Sequence, residues 1–182
     1  MSLVFSTKGV PDSDRFSFWR EAVCDAYVQL ECNSDADAFD GELRLHRLPT
    51  IAASFVGGSR QNVRRRKRDI SRASEDSFLL SLQLARHGQV AQAGRVAELG
   101  PGDFALYSAT DTYELNLPDG FSQMVVQMPR EALLQRLPHA DSLTATRISG
   151  QTDVGRLVNE TVGRMIQLAA GVDPGAHAER RT

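Results

Sequence analysis

From Phe78 to Leu117 the chain alternates short apolar runs with turn residues. Phe78 to Leu84, Gln89 to Ala93, Val96 to Leu99 and Phe104 to Tyr107 form four runs, each closed by a turn signal. The signals are His87-Gly88, Ala93-Gly94, Gly100-Pro101-Gly102-Asp103 and Ala109-Thr110-Asp111. Strands of this length and regular punctuation suit an antiparallel barrel or jelly roll. A helix needs a 3.6-residue period sustained over about ten residues, and the glycines and proline interrupt it. The stretch therefore predicts the heart of a small β-barrel.

The flanks add helices and further strands. Pro11 to Asp14 offers capping residues, and Phe16, Trp19, Val23, Ala26, Tyr27 and Leu30 then follow at helical spacing. Trp19 reads as an anchor pinning this helix to a sheet, or as an indole facing a ligand. Glu31 to Asp40 reads as a polar connector, Leu43, Leu45 and Leu48 as alternating strand positions, and Ile51 to Val56 as an apolar strand. Val63 to Ile70 carries five consecutive basic residues. In a strand, Arg65 and Lys67 share one face, and Arg64, Arg66 and Arg68 the other. An inward-facing arginine there needs an acidic or polar partner, because an unpaired buried charge is very costly. Further on, Asn116 to Gly120 is a turn and Phe121 to Met128 a strand. Pro129 suits the first position of a short helix with Leu133, Leu134 and Leu137 on its apolar face. Thr152 to Ala170 is the longest amphipathic helix, and Gly171 stops it.

Composition narrows the class. At 182 residues with 41 % hydrophobic and 24 % charged residues, the chain suits one soluble domain with an appended helical piece. A net charge of −2 gives no global pointer to nucleic acid or an acidic membrane. No secretory signal and no apolar run long enough for a membrane span is present, so a cytoplasmic protein is expected. Cys24 and Cys32 are expected as reduced thiols.

Most chemical motifs fail on spacing. His46, His87, His139 and His177 are scattered, outside any HxH, HxxxH or HxxE cluster, so no metal or other cofactor is expected. There is no GxSxG elbow, and neither cysteine has a base beside it in sequence. Gly100 to Ala105 nominally matches a dinucleotide fingerprint, but a strand follows where a helix N-terminus is required, so it reads as a hairpin turn. The basic run lacks aromatic interleaving and reads as a solvated face, with Arg65 as the candidate to turn inward onto a carboxylate of the protein or a ligand.

Several landmarks then line up in one order. Phe18-Trp19-Arg20-Glu21 lies in the first helix, followed by Phe39-x-Gly41, Val63-x-Arg65 and Leu80 to Leu84. Gln92-x-Gly94-Arg95, Leu99-x-Pro101-Gly102-Asp103 and Pro129-Arg130-x-x-Leu133 complete the series. Over residues 5 to 170 it resembles the N-terminal sensory domain of AraC/XylS-type transcriptional regulators. The resemblance implies a mainly β fold: a cupin-like antiparallel β-barrel (jelly roll), preceded by an N-terminal helix and followed by C-terminal helices. It divides the chain into an effector-binding barrel, 1–150, and a helical dimerisation segment with the start of a linker, 151–182. Where metal-dependent cupins carry a histidine in their second motif, the matching neighbourhood here holds Tyr113, and the HxH of the first motif is absent.

On this reading the protein is the ligand-sensing and dimerisation module of a transcriptional regulator and not an enzyme. A small organic effector, carboxylate or aromatic, is expected in the barrel, held by Arg65 through a carboxylate and by Gln83, Tyr107, Tyr113 and Gln127, with Trp19 as a wall. Leu157, Val158 and Met165 are expected to form the contact of a homodimer. DNA is expected to be read only through a helix-turn-helix domain that lies outside these 182 residues, the chain being either an excised sensory fragment or a natural stand-alone domain. Two alternatives stand beside this: a small metal-dependent cupin enzyme, and a ligand-free barrel that only dimerises.

Overall fold

The computed structural model describes residues 2–71 and 76–169, with side chains for 3–71 and 76–164. In chain order, β1 (Ser2–Ser6) leads into α1 (Asp12–Ala26), β2 (Glu31–Asn33), β3 (Gly41–Arg47), β4 (Ala52–Gly58) and β5 (Gln61–Arg65). A single turn, α2 (Lys67–Ile70), precedes β6 (Ser77–Ala85), β7 (Gly88–Gln92), β8 (Arg95–Leu99), β9 (Phe104–Ser108), β10 (Tyr113–Leu117) and β11 (Phe121–Pro129). Then come α3 (Arg130–Leu134), a 3₁₀ turn (Ala140–Leu143) and α4 (Asp153–Ala169).

The strands form two sheets, ordered β1-β3-β4-β11-β6-β9 and β2-β5-β10-β7-β8, with every pairing antiparallel. The mainly β, cupin-like fold with flanking helices is as expected. The closed barrel is not: the sheets face each other as a jelly-roll-like sandwich, and among the described residues no strand pairing joins one to the other. Alternate residues of both sheets fill the space between them, Leu43, Leu45, Leu79 and Val125 from one, Val63, Val90, Leu99 and Leu115 from the other.

Several local expectations change. The basic strand ends at Arg65, and Lys67 is exposed in the helical turn that follows. That turn lets Arg66 and Arg68 converge on Glu31 at 3.0 and 2.7 Å, while Asp69 accepts the Arg66 amide at 2.8 Å. Five cations spread along one strand would have had no such shared partner. Gly100 to Asp103 is a turn but not a hairpin, since β8 and β9 belong to different sheets. Part of the supposed connector is strand: β2 pairs with β5 and buries Cys32. Pro129 caps α3 instead of opening it. Both cysteines are free.

The outer face of the six-stranded sheet is apolar as well. Leu82, Phe104, Met124 and Val126 meet Val158 and Val162 of α4, and Phe78 and Leu106 meet Leu133 and Leu134 of α3. One buried carboxylate fixes how α4 leaves the sandwich. Asp103, 3 % exposed, accepts the amides of Gly100 and Gly150, each at 3.0 Å, and the Arg147 guanidinium at 2.7 Å. Gly150 approaches so closely that a Cβ there would lie 2.1 Å from the Gly102 carbonyl. That same carbonyl accepts the side-chain amide of Asn159 on α4.

Burial alone would raise the Asp103 carboxyl pKa, but the Gly100 and Gly150 amides and Arg147 together hold it below its ordinary value. A depressed folded-state pKa stabilises the fold above the unfolded-state value of about 3.9 and loses that contribution as pH falls through the lower, folded one. Asp103→Asn is expected to cost about 1.5–3 kcal/mol at neutral pH, the range for hydrogen bonds to a charged group. Urea unfolding of wild type and variant should show a gap that is constant near neutrality and closes below about pH 4.

Candidate functional site

The site grows from α1. Trp19 is fully buried and reaches both sheets: its indole N–H donates to Gln61 Oε1 on β5 at 2.9 Å, and its ring lies over Gly41 of β3. A Cβ on Gly41 would stand 2.6 Å from the indole ring. Phe39 packs beside it with ring centroids 5.8 Å apart. Trp19 is therefore the anchor that its position in the helix predicts, and it also walls an interior cavity.

That cavity measures about 40 Å³, room for water but not for an organic effector. The expected hollow is thus almost filled, and side chains do the filling. Tyr107 and Tyr113 close one side of it in an edge-to-face pair, centroids 4.9 Å apart. Tyr107 accepts a hydrogen bond from Ser81 at 3.2 Å, and burial pushes its phenol up to about 12. Burial, then Tyr107, raises the Tyr113 phenol, while the nearby Arg65 charge pulls the other way. A third phenol, Tyr27, closes the layer from the end of α1. Its hydroxyl shares a 2.5 Å hydrogen bond with Ser54 on β4.

Arg65 lies against this layer, 1 % exposed. It faces inward, as strand parity predicts. The expected carboxylate partner is absent among the described residues: Nε donates to the Ala109 carbonyl at 2.7 Å and Nη1 to that of Gln29. Nη2 is buried and has no partner among the described residues. A whole positive charge is thus enclosed by carbonyl dipoles alone, with one N–H group unused.

The remaining expected contacts divide. Gln83 is buried but occupied, accepting from Gln123 at 2.8 Å and donating to the Ala85 carbonyl at 2.7 Å. Gln127 lies apart from the cavity, in a cleft of about 340 Å³ at the α1 end of the sandwich, where it donates to Ser77 at 3.3 Å. Gln61, Gln123 and Tyr27 line the cavity and were not singled out from the sequence. Only Tyr27 carried a signal, its place on the apolar face of α1. A wider groove, about 720 Å³, runs between the outer sheet face and α4 over Phe55, Leu82 and Met124. Among the described residues it holds no buried polar group in want of a partner. On α4, Val158 packs on the sheet and Leu157 is 65 % exposed; the Met165 side chain lies outside the described residues. Among the described residues, no three His, Cys, Asp or Glu side chains gather as a metal site would require, and His177 is outside them. No described helix is long and apolar enough to cross a membrane.

Residues 19–182 match the AraC-binding-like domain family. The chain belongs to that family. Two curated proteins are similar to it in sequence. One is an uncharacterized protein in the nit 5′ region of Bacillus sp. (strain OxB-1), 37 % identical over 146 residues, covering 80 % of this chain and 57 % of that protein. The other is the transcriptional activator NphR of Rhodococcus sp., 30 % identical over 140 residues, covering 76 % of this chain and 42 % of that one. This chain spans about half the length of these relatives. The crystal structure of the AraC-like transcriptional activator CuxR has the same fold, with a TM-score of 0.78 at 18 % identity over 92 % of this chain and 60 % of that one.

The Trp19–Gly41 contact gives a direct check on how the domain closes. Gly41→Ala is expected to destabilise by about 1–3 kcal/mol through overpacking against the indole. The penalty should shrink in a Trp19→Leu background, and a double-mutant cycle by chemical denaturation measures the coupling.

Proposed function

We propose that this AraC-binding-like domain is the ligand-sensing and dimerisation module of a transcriptional regulator. On this proposal its effector is a small aromatic carboxylate that binds between the sheets. The observation that carries the effector class is the buried guanidinium of Arg65, with Nη2 unpartnered among the described residues and Tyr113 opposite it in the β5–β10 pair. Leaving a charge uncompensated in an interior costs several kcal/mol unless something pairs with it. A carboxylate is the natural match for a guanidinium, and the faces of Tyr107 and Tyr113 suit a flat apolar body. Binding requires the tyrosine layer to part, because the resting cavity is too small.

The effector would then favour one arrangement of the domain over another by its differential affinity for the two. DNA contact would fall to a domain outside these residues, as the naming of NphR and CuxR as transcriptional activators suggests. The boundary would fall near residue 150, with dimerisation assigned to the helical segment beyond it. Support for the dimer comes from α4: Val158 and Val162 are used against the sheet, while Val154 and Leu157 stand 72 % and 65 % exposed on its free face.

Thermal unfolding in the presence of benzoate, phenylacetate and short aliphatic acids tests the effector. A ligand specific for the folded state stabilises it by about 2.7 kcal/mol at a hundredfold excess over Kd, so at least one aromatic acid should raise the midpoint of the wild type. Arg65→Met should stay folded and lose that response. If no acid moves the wild-type midpoint, the filled sandwich is a dimerisation unit alone.

The dimer is tested separately. Leu157→Glu should halve the mass measured by light scattering while leaving the unfolding midpoint within a few degrees. A wild-type monomer, or an unchanged association state in the variant, removes the assignment.

A further inference from the structure

The interior cavity and the cleft at the end of α1 share one side chain, Tyr27. Its ring is half-buried, with the cleft on one side, and its hydroxyl is enclosed on Ser54, itself 1 % exposed. The cleft, about 340 Å³, opens between the end of α1, the β3–β4 turn and the ends of β6 and β11. We infer that Tyr27 is the door between them: when its ring leaves Ser54, the cleft and the cavity become one continuous site that admits a flat ligand of single-ring thickness. This deepens the effector reading by naming the route and the shape that the route selects.

The argument is one of elimination. Most cavity walls belong to strands, and moving those breaks ladder hydrogen bonds, on both sides for all but the edge strand β9 that carries Tyr107. Four lining residues lie outside the sheets: Trp19, Val23, Tyr27 and Leu30. Trp19 is held by Gln61 and seated on Gly41. Val23 is buried within α1. Leu30 lines the cavity but not the cleft. Tyr27 caps α1, its side chain making a single hydrogen bond, to Ser54. Its swing needs a change of rotamer and the loss of that bond, with no strand displaced. The helix stays pinned about two turns earlier, at Trp19.

The ring that leaves also prescribes what enters. The slot it vacates is as thick as one aromatic ring, and Tyr107 and Tyr113 form its inner wall. Arg65 is the cross-strand partner of Tyr113 in the β5–β10 pair. A planar acid following the slot would place its ring where the Tyr27 ring was and direct its carboxylate toward Nη2. A bulky aliphatic acid would have to spread β4 from its neighbours.

The chain's one tryptophan makes the door measurable without any effector, since Trp19 walls the cavity. Acrylamide quenching of its fluorescence reports how often the interior is open. Tyr27→Ala should raise the quenching constant several-fold. Tyr27→Phe removes the hydroxyl pair alone, Ser54→Ala removes it together with the 3.4 Å bond from Ser54 to the Val125 carbonyl, and each should raise it about fivefold, the population change for a hydrogen bond of ordinary net strength. Leu115→Ala enlarges the cavity on a wall that lines neither the cleft nor another surface groove, and should leave it within twofold of wild type. Equal quenching in wild type, Tyr27→Phe and Ser54→Ala overturns the door, as does an equal rise in Leu115→Ala. If Tyr27→Ala does not fold, the two conservative variants decide. A door that opens in a protein no acid stabilises would leave the route standing and remove the effector class. An acid response with unchanged quenching would do the reverse.

Discussion

The carboxylate of Asp103 holds together parts of the molecule that packing alone would leave free to slide. It sits at the corner where the chain passes from one sheet to the other, so its bond to Gly100 shapes the crossing turn. Its bonds to Arg147 and Gly150 dock the segment that launches α4. A hydrophobic contact such as Val158 on Leu82 tolerates rotation of the helix about its axis. Three directed hydrogen bonds to one buried charge, with a glycine that no side chain can replace, do not. The place of the helix on the sheet is therefore set electrostatically at one end and apolarly along its length.

The other landmarks do similar work. Gln92 grips β9 through both its amide groups, donating to the Ser108 carbonyl and accepting the Ser108 amide at 2.8 Å each. Arg95 donates to the Thr144 carbonyl and hydroxyl, each at 2.7 Å, and so holds the loop after the 3₁₀ turn. Arg130 lies over the Phe78 ring, 4.8 Å from its centroid, and bonds Asp141. Each resolves a geometric demand of two facing sheets: a corner, an open end, or a helix to be seated. That is why the resemblance was legible from a few short motifs. Architecture of this kind leaves the same residue types at the same intervals.

What was not legible has physical reasons too. β1 and β2 are edge strands of five and three residues, made strands by their partners β3 and β5 and not by any alternation of their own. Parity placed Arg65 inside correctly because β5 is regular up to that residue; it misplaced Lys67 because the strand stops one step later. The polar interior contacts were the least readable. Gln61, Gln83 and Gln123 all point inward, yet Gln61 is taken by Trp19, while Gln83 and Gln123 satisfy each other. Nothing in a sequence separates a glutamine that stabilises the fold from one that waits for a ligand. Arg65 is distinguished only once its neighbours are known, by the nitrogen that none of them reaches.

Strand β4 links the two halves of this picture. On its inner face Ser54 holds the Tyr27 hydroxyl, and on its outer face the neighbouring Ala53 and Phe55 belong to the apolar layer under α4. Its partner β11 repeats the arrangement, with Val125 against the cavity and Met124 and Val126 against the helix. Adjacent residues of one strand cannot move independently, since the pleat sends them to opposite faces of a single backbone. A ring that displaces Tyr27 from Ser54 therefore acts on the same few residues that support Val158 and Val162. Close-packed layers respond to such a change by shifting between discrete packings and not by yielding gradually. The two-residue pleat of β4 and β11 thus joins the lining of the interior to the residues on which α4 packs.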